Sequence, residues 1–192
     1  MLKTSAAAGF TLIEVLVGLA ILGILLALGL PAFSTAMVNS KIRASASSFH
    51  AAAQFARTEA IRRNSVVELI LTTDAPTVMN EDTVNVALTG PNWMVRAPGA
   101  PAGSRFLQGK SANEGGASGS VVVTGNVSQL AFDGLGASTA GAATFSFTST
   151  TGGACASASG PVRCLDVRVS ASGQTQLCDP AITAVGDSRA CN

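Results

Sequence analysis

Histidine occurs once, at His50, and cysteine not at all before position 155. Both shortages exclude chemistry. A Ser-His-Asp triad, or a zinc site with two histidines, would have to be built on a single imidazole. His50 lies in an Ala/Ser-rich stretch with no cysteine nearby, so it reads as structural. No G-x-x-x-x-G-K-[ST] or G-x-G-x-x-G phosphate cradle occurs. Carboxylates are scattered: Glu81-Asp82 reads as a solvated loop, and Gly134 and Gly136 as a turn between strands. Charge is scarce too. Charged residues make up 12% of the chain, about half the usual share, and the formal net charge is +1. No global field therefore directs the chain to nucleic acid or to an anionic membrane. The chain does not read as an enzyme, and nothing in it asks for a metal or a cofactor.

What is present is unevenly placed. The 192 residues suit one modest domain with an appendage, with no internal repeat and no second-domain linker. Residues 1–9 are short and polar with one positive charge, Lys3, and a long uncharged run follows at Val15 to Ser40. A helix needs about 20 apolar residues to cross a bilayer core. The stretch from Phe10 to Leu30 supplies them, interrupted by Glu14 alone, so residues 10–35 read as a transmembrane span. Lys3 on the short side predicts a cytoplasmic N-terminus with the remainder exported. An ordinary secretory signal fits badly, since the small residue Gly9 precedes the apolar run instead of following it. Glu14 is the anomaly. A carboxylate in an apolar span costs about 2.5–3.5 kcal/mol near the centre and less near the interface, so it asks for a positive partner. No Lys or Arg occurs between Lys3 and Lys41. A cut between Gly9 and Phe10 would create an α-amino group one helical turn before Glu14, able to neutralise the carboxylate of a neighbouring copy.

Beyond the span the helical period continues. Ile42, Ala46, Phe49, Ala53, Ala56 and Ala60 step by 4, 3, 4, 3 and 4, which puts them on one face. Lys41, Arg43, Arg57, Glu59, Arg62 and Arg63 charge the remaining surface, and Arg62-Arg63-Asn64 suits a helix end. The stripe is mostly alanine, which lets a covering sheet approach closely. Pro31, with Gly29 in the same turn, removes a backbone hydrogen bond and marks a kink. After Asn64 the pattern becomes β-like, with strands expected at Val66–Thr73, Val84–Leu88, Trp93–Arg96, Val121–Thr124, Val127–Phe132, Ala143–Thr148 and Cys164–Ser170. Gln108–Ser120 is expected to be a mobile loop. The fold class is α+β, the second half of a long helix packed against one or two antiparallel sheets in a head spanning residues 36–192.

All four cysteines lie in the last 38 residues, separated by 9, 14 and 13 positions. Zinc sites usually carry cysteine pairs two to four residues apart, so disulfides and an oxidising compartment are the reading. Three connectivities are open. Neighbouring pairs, Cys155–Cys164 and Cys178–Cys191, are expected: Gly160-Pro161 suits a turn between the first two, and the second pair would pin a tail that otherwise frays.

Gly9-Phe10-Thr11-Leu12-Ile13-Glu14, followed by an apolar helix with Pro31, resembles the class III signal of type IV pilins and type II secretion pseudopilins. The Arg62-Arg63-Asn64 helix end running into a strand, Asn92-Trp93, Phe132-Asp133-Gly134-Leu135-Gly136 and the tail around Cys178 and Cys191 resemble the FimT, FimU and GspH groups of that family. The resemblance implies a type IV pilin-like fold. It also implies a leader, residues 1–9, removed by a prepilin peptidase after Gly9, and methylation of the new N-terminus at Phe10. Glu14 would set subunit register during assembly, and Pro31 would mark a point where the helix stretches on packing into a filament. The implied function is a minor pilin that helps prime, cap or compose a type IV pilus; the alternatives are a type II secretion pseudopilin and a pilus-associated DNA receptor. The implied partners are other pilins or pseudopilins, the peptidase and inner-membrane lipids. The implied location is the inner membrane with a periplasmic head, and the pilus after assembly.

DNA-binding relatives carry a G-R-x-R motif whose arginines contact phosphates. The corresponding residues here are Gly173-Gln174-Thr175-Gln176, with glutamine at both arginine positions. Arg163, Arg168 and Arg189 are the remaining DNA-contact candidates, opposed by Asp166, Asp179 and Asp187. DNA is therefore disfavoured as a partner.

Overall fold

The computed structural model describes residues 10–111 and 120–191; inside the helix, the side chains of residues 28–32 lie outside the described set. One helix, α1 (Leu12–Arg63), runs for 52 residues, about 78 Å at 1.5 Å per residue. It ends where the sequence supplies a stop. Asn64 adopts the left-handed conformation (φ 48°, ψ 43°) and returns its N–H to the carbonyls of Ala60 and Ile61. Glu59, Arg62 and Arg63 knit the last turn together, with Arg62 at 2.6 Å and Arg63 at 2.8 Å from one carboxylate oxygen of Glu59. The two arginines and the neighbouring guanidinium charge hold the Glu59 carboxyl at about 2.

Among the described residues nine strands follow: β1 (Val67–Thr72), β2 (Thr89–Gly90), β3 (Asn92–Arg96), β4 (Phe106–Lys110), β5 (Val121–Gly125), β6 (Gln129–Phe132), β7 (Ala143–Ser149), β8 (Leu165–Val169) and β9 (Thr175–Cys178). They form two antiparallel sheets, a four-stranded one in the order β4-β3-β1-β6 and a five-stranded one in the order β2-β5-β7-β8-β9. Alternation along the strands sends Leu69, Leu71, Trp93, Val95, Leu130 and Phe132 inward from one sheet, and Val123, Phe145, Phe147, Val167 and Val169 from the other. Both inner faces close over the second half of α1. The six-residue stripe from Ile42 to Ala60 is fully buried there, as its spacing requires. Phe49 is the keystone, with its ring 6.3 Å from Trp93, 4.7 Å from Phe145 and 5.5 Å from Phe147.

The structure departs from the strand expectations at definite places. Val84–Leu88 forms no strand; Val86 makes one isolated bridge to Thr72, and the short strand lies beyond it at Thr89–Gly90. The start of the expected loop Gln108–Ser120 is instead part of β4, paired to β3; residues 112–119 lie outside the described set. β1 is buried on both faces because a second small cluster, Ile70, Met94, Val84 and Phe106, covers its outer side. Glu81, expected in solvent, is 4% exposed. Its carboxylate accepts the backbone N–H groups of Gly103, Arg105 and Phe106, and the bond from Phe106 is the largest cause of a pKa lowered below the usual carboxylate range. It is a clasp for the crossing between β3 and β4.

Candidate functional site

Two regions carry features that packing alone does not require. The first is the free half of α1. Thr11 caps it: its hydroxyl accepts the N–H of Glu14 at 3.3 Å, and its backbone is extended (φ −79°, ψ 151°). Glu14 therefore sits in the first turn, where the positive end of the helix dipole favours a carboxylate. From Phe10 to Ala27 every residue is exposed; Phe10 reaches 81% and Leu12 79%. This is apolar surface without a cover among the described residues. Among the described residues no helix is long and apolar enough to cross a membrane. Within the expected span, side chains are described up to Ala27 and again from Phe33. Gly9 lies outside the described residues. The α1 backbone is continuous through position 31, and the Pro31 side chain lies outside the described set.

The second region is the C-terminal tail and the sheet edge it covers. Cys155 is bonded to Cys164 and Cys178 to Cys191, with Cα–Cα distances of 5.4 and 5.1 Å. The second bond folds the tail back along β9: Asp179 donates its N–H to the Arg189 carbonyl at 2.7 Å. The Gln176 amide donates to the carbonyls of Ser188 and Ala190, each at 3.4 Å. The three arginine candidates separate. Arg168 lies on the outer sheet face opposite Gln176, where its Nη1 donates to the Cys191 carbonyl. Arg163 and Arg189 instead line a crevice of about 210 Å³ together with Arg43 and Ser47 of α1. Leu165, Leu177 and Ile182 give that crevice an apolar wall, and Asp179 lies within it.

The arginines in the crevice are unequally engaged. Arg163 reaches Asp179 at 3.5 Å with its side chain 59% exposed. Arg189 holds Asp187 at 2.8 Å, and that bond, reinforced by the Arg189 backbone N–H, keeps the Asp187 carboxyl at about 2. Arg43 makes no ion pair among the described residues. Sequence reasoning assigned Arg43 to the solvated helix surface. The available signal was that Arg43 and Ser47, four residues apart, flank the buried stripe at Ile42 and Ala46 on the side the tail covers.

The hairpin between β8 and β9 bears the glutamines. Gly173 turns it with φ +79°, and a Cβ there would overlap the carbonyl of Gly136, itself at φ +81°. The two turns touch, and Arg57 ties them to α1 by donating from Nε to the Gly136 carbonyl at 3.0 Å. Gln174 is left exposed, while Gln176 is spent on the tail. His50 is half-buried, with Nε2 at 3.1 Å from the Thr175 hydroxyl and 3.4 Å from its carbonyl, so it docks β9 onto α1. No group of His, Cys, Asp and Glu able to hold a metal ion occurs among the described residues.

Comparison with known proteins agrees with this architecture. The family described as type II transport protein GspH matches residues 45–173, and the prokaryotic N-terminal methylation motif matches residues 4–30. No curated protein shows significant similarity to the chain. Among solved structures, the type IV minor pilin FimU of Pseudomonas aeruginosa is similar at 17% identity and a TM-score of 0.51, covering 72% of this chain and 88% of its own. The minor pseudopilin EpsH of the type 2 secretion system of Vibrio cholerae aligns at 15% identity and a TM-score of 0.49, covering 73% of this chain and 98% of its own. A family match across two thirds of the length, with the methylation motif ahead of it and a long helix under two antiparallel sheets, places this chain in the GspH family of minor pilins and pseudopilins.

Proposed function

We propose that the chain is a low-abundance pilin, cut after Gly9 and methylated at Phe10, that helps prime, cap or compose a type IV pilus. Before assembly, residues 10–35 lie in the inner membrane and residues 36–192 form a periplasmic head; afterwards the protein belongs to the filament. One observation carries the reading: α1 is buried on one face from Ile42 onward and fully exposed from Phe10 to Ala27. Apolar area of this size is covered by lipid in the precursor, and by the helices of neighbouring pilins after extraction. Glu14 then finds its positive partner in the amino group of an adjacent subunit. The role is structural, with no catalytic step, and DNA is disfavoured as a ligand.

A second reading, a pseudopilin of a type II secretion system, draws on the description of the family that matches residues 45–173. Deleting the gene and restoring it on a plasmid separates the two. The pilus reading expects loss of surface pili with secretion intact. Loss of exoprotein secretion with normal piliation would transfer the protein to the secretion machine.

A further inference from the structure

The head meets the stalk at a defined height. Gly152 packs against Val38, and the backbone N–H of Arg163 donates to the Asn39 side chain at 2.8 Å, so the loop closed by the first disulfide forms the underside of the head. Twenty residues of helix cross about 30 Å of hydrocarbon, and the headgroup layers bring the bilayer to about 40–45 Å. With Leu12 at the inner edge of the hydrocarbon, its outer edge falls near residue 32 and the outer headgroup layer ends near residues 35–37, just below that underside. Arg163 stands at this level, and Arg43 one helical turn above Asn39.

In a membrane precursor the crevice these residues share lies just beyond the outer headgroup layer, and a helical side chain such as Arg43 leans back along the helix toward it. Its volume of about 210 Å³ is several times the share of one water, about 30 Å³. Arginine suits a phosphodiester because its planar fork donates two parallel hydrogen bonds. A second copy of the head is a poor occupant. Among the described residues most carboxylates of the head are already engaged: Glu59, Glu68, Asp82 and Asp187 by arginines, and Asp74 and Asp133 by Asn85 and by backbone amides.

From this placement we infer that the Arg43–Arg163–Arg189 crevice binds the phosphate headgroup of an anionic lipid and seats the head on the membrane before assembly. Arg43, which has no ion pair to break, supplies the first contact. Arg163 turns from Asp179 to supply the second. Lifting the subunit into a filament removes the lipid, so the site is a rest for the precursor. The inference depends on the membrane-anchored reading above.

The test is native mass spectrometry of the full chain extracted in mild detergent after exchange into nanodiscs. One set of discs is phosphatidylcholine alone, and the other contains phosphatidylglycerol as well. The wild-type chain is expected to retain phosphatidylglycerol in preference to phosphatidylcholine. Arg43→Gln, an exposed substitution that leaves the fold intact, should lower that retention about fivefold, equivalent to about 1 kcal/mol for one cation at an anionic surface. Arg43→Lys, which keeps the charge but not the fork, should keep only part of it, and Arg43→Gln with Arg163→Gln should abolish the preference. Equal retention of the two lipids, or retention unaltered in the double variant with an unchanged melting curve, overturns the inference while leaving the function intact. Equal protection by inorganic phosphate in detergent, with no added effect of phosphatidylglycerol, would reassign the crevice to a free anion and overturn the lipid. Recovery of the chain in the aqueous fraction without detergent would instead remove the anchored reading on which the inference rests.

Discussion

Replacing Cys178 and Cys191 together by serine should separate what the tail disulfide contributes from what the tail contacts contribute. The bond links residues 13 apart, and a loop of that size contributes about 3 kcal/mol in the chain-entropy model. At about 2–4 °C per kcal/mol for a chain of this length, the melting temperature should fall by about 6–12 °C. The first disulfide links residues 9 apart, so its removal should cost nearly the same by the same reckoning. The structural consequences differ. Cys155 and Cys164 bracket a loop that is also closed by backbone bonds, Ala156 N–H to the Val162 carbonyl at 2.7 Å and Gly160 N–H to the Cys155 carbonyl at 2.9 Å. Among the described residues the tail is held, once the bond is gone, by the Asp179–Arg189 backbone bond, the Gln176 amide, the Arg168 guanidinium and the ion pair of Arg163 with Asp179. The assay is thermal denaturation by circular dichroism on the detergent-extracted chain, with limited proteolysis alongside. Loss of Cys178–Cys191 should expose the segment after Pro180 to cleavage at temperatures where loss of Cys155–Cys164 leaves it protected. A fall of less than about 2 °C, or identical tail cleavage in the two variants, would refute the reasoning.

Glu14→Ala should leave membrane insertion unharmed and exclude the subunit from filaments; normal incorporation in a sheared-pilus immunoblot would remove the charge-pairing argument. The chain in detergent should bind duplex DNA feebly at low salt and not near physiological salt. Gln174→Arg with Gln176→Arg should tighten binding and steepen its salt dependence, because each added phosphate contact releases counterions. Tight binding by the unmodified chain at the higher salt in a mobility-shift titration would make DNA uptake the leading function. Glu59→Gln should cost about 1 kcal/mol near neutral pH, since both pairs lie at the helix surface, with Arg62 largely exposed, and surface pairs are worth little. The folded Glu59 carboxyl is held down to about 2 from 4.5, so its contribution is complete above the unfolded value and fades as pH falls through 2. Denaturant curves of variant and wild type should therefore converge between those pH values, and a constant gap would contradict the pairing.

The helix was legible because one face obeys a strict 4-3 alternation from Ile42 to Ala60 and because Asn64 follows two arginines. Those are local signals, and the structure uses each of them directly. The strands with β-branched or aromatic cores, β1, β3, β5 and β7, were legible for the same reason. β4 and β9 were not. Phe106–Lys110 contains Gln108, Gly109 and Lys110, and Thr175–Cys178 is half polar, so neither shows a period of two. They are strands because a partner pulls them into register, β3 in one case and β8 in the other. Glu81 was misread because nothing local reveals that three backbone N–H groups from residues 103–106 converge on it. Arg43 escaped notice because the crevice exists only once the tail is folded back across more than a hundred residues of chain.

The central claim, that this chain is processed and assembled as a pilin, is tested most directly at its N-terminus. Intact-mass and peptide mass spectrometry of the membrane-extracted protein should find residues 1–9 absent, Phe10 first, and one methyl group on its amine. An intact Met1, or a first residue at or beyond Leu28, would contradict the account.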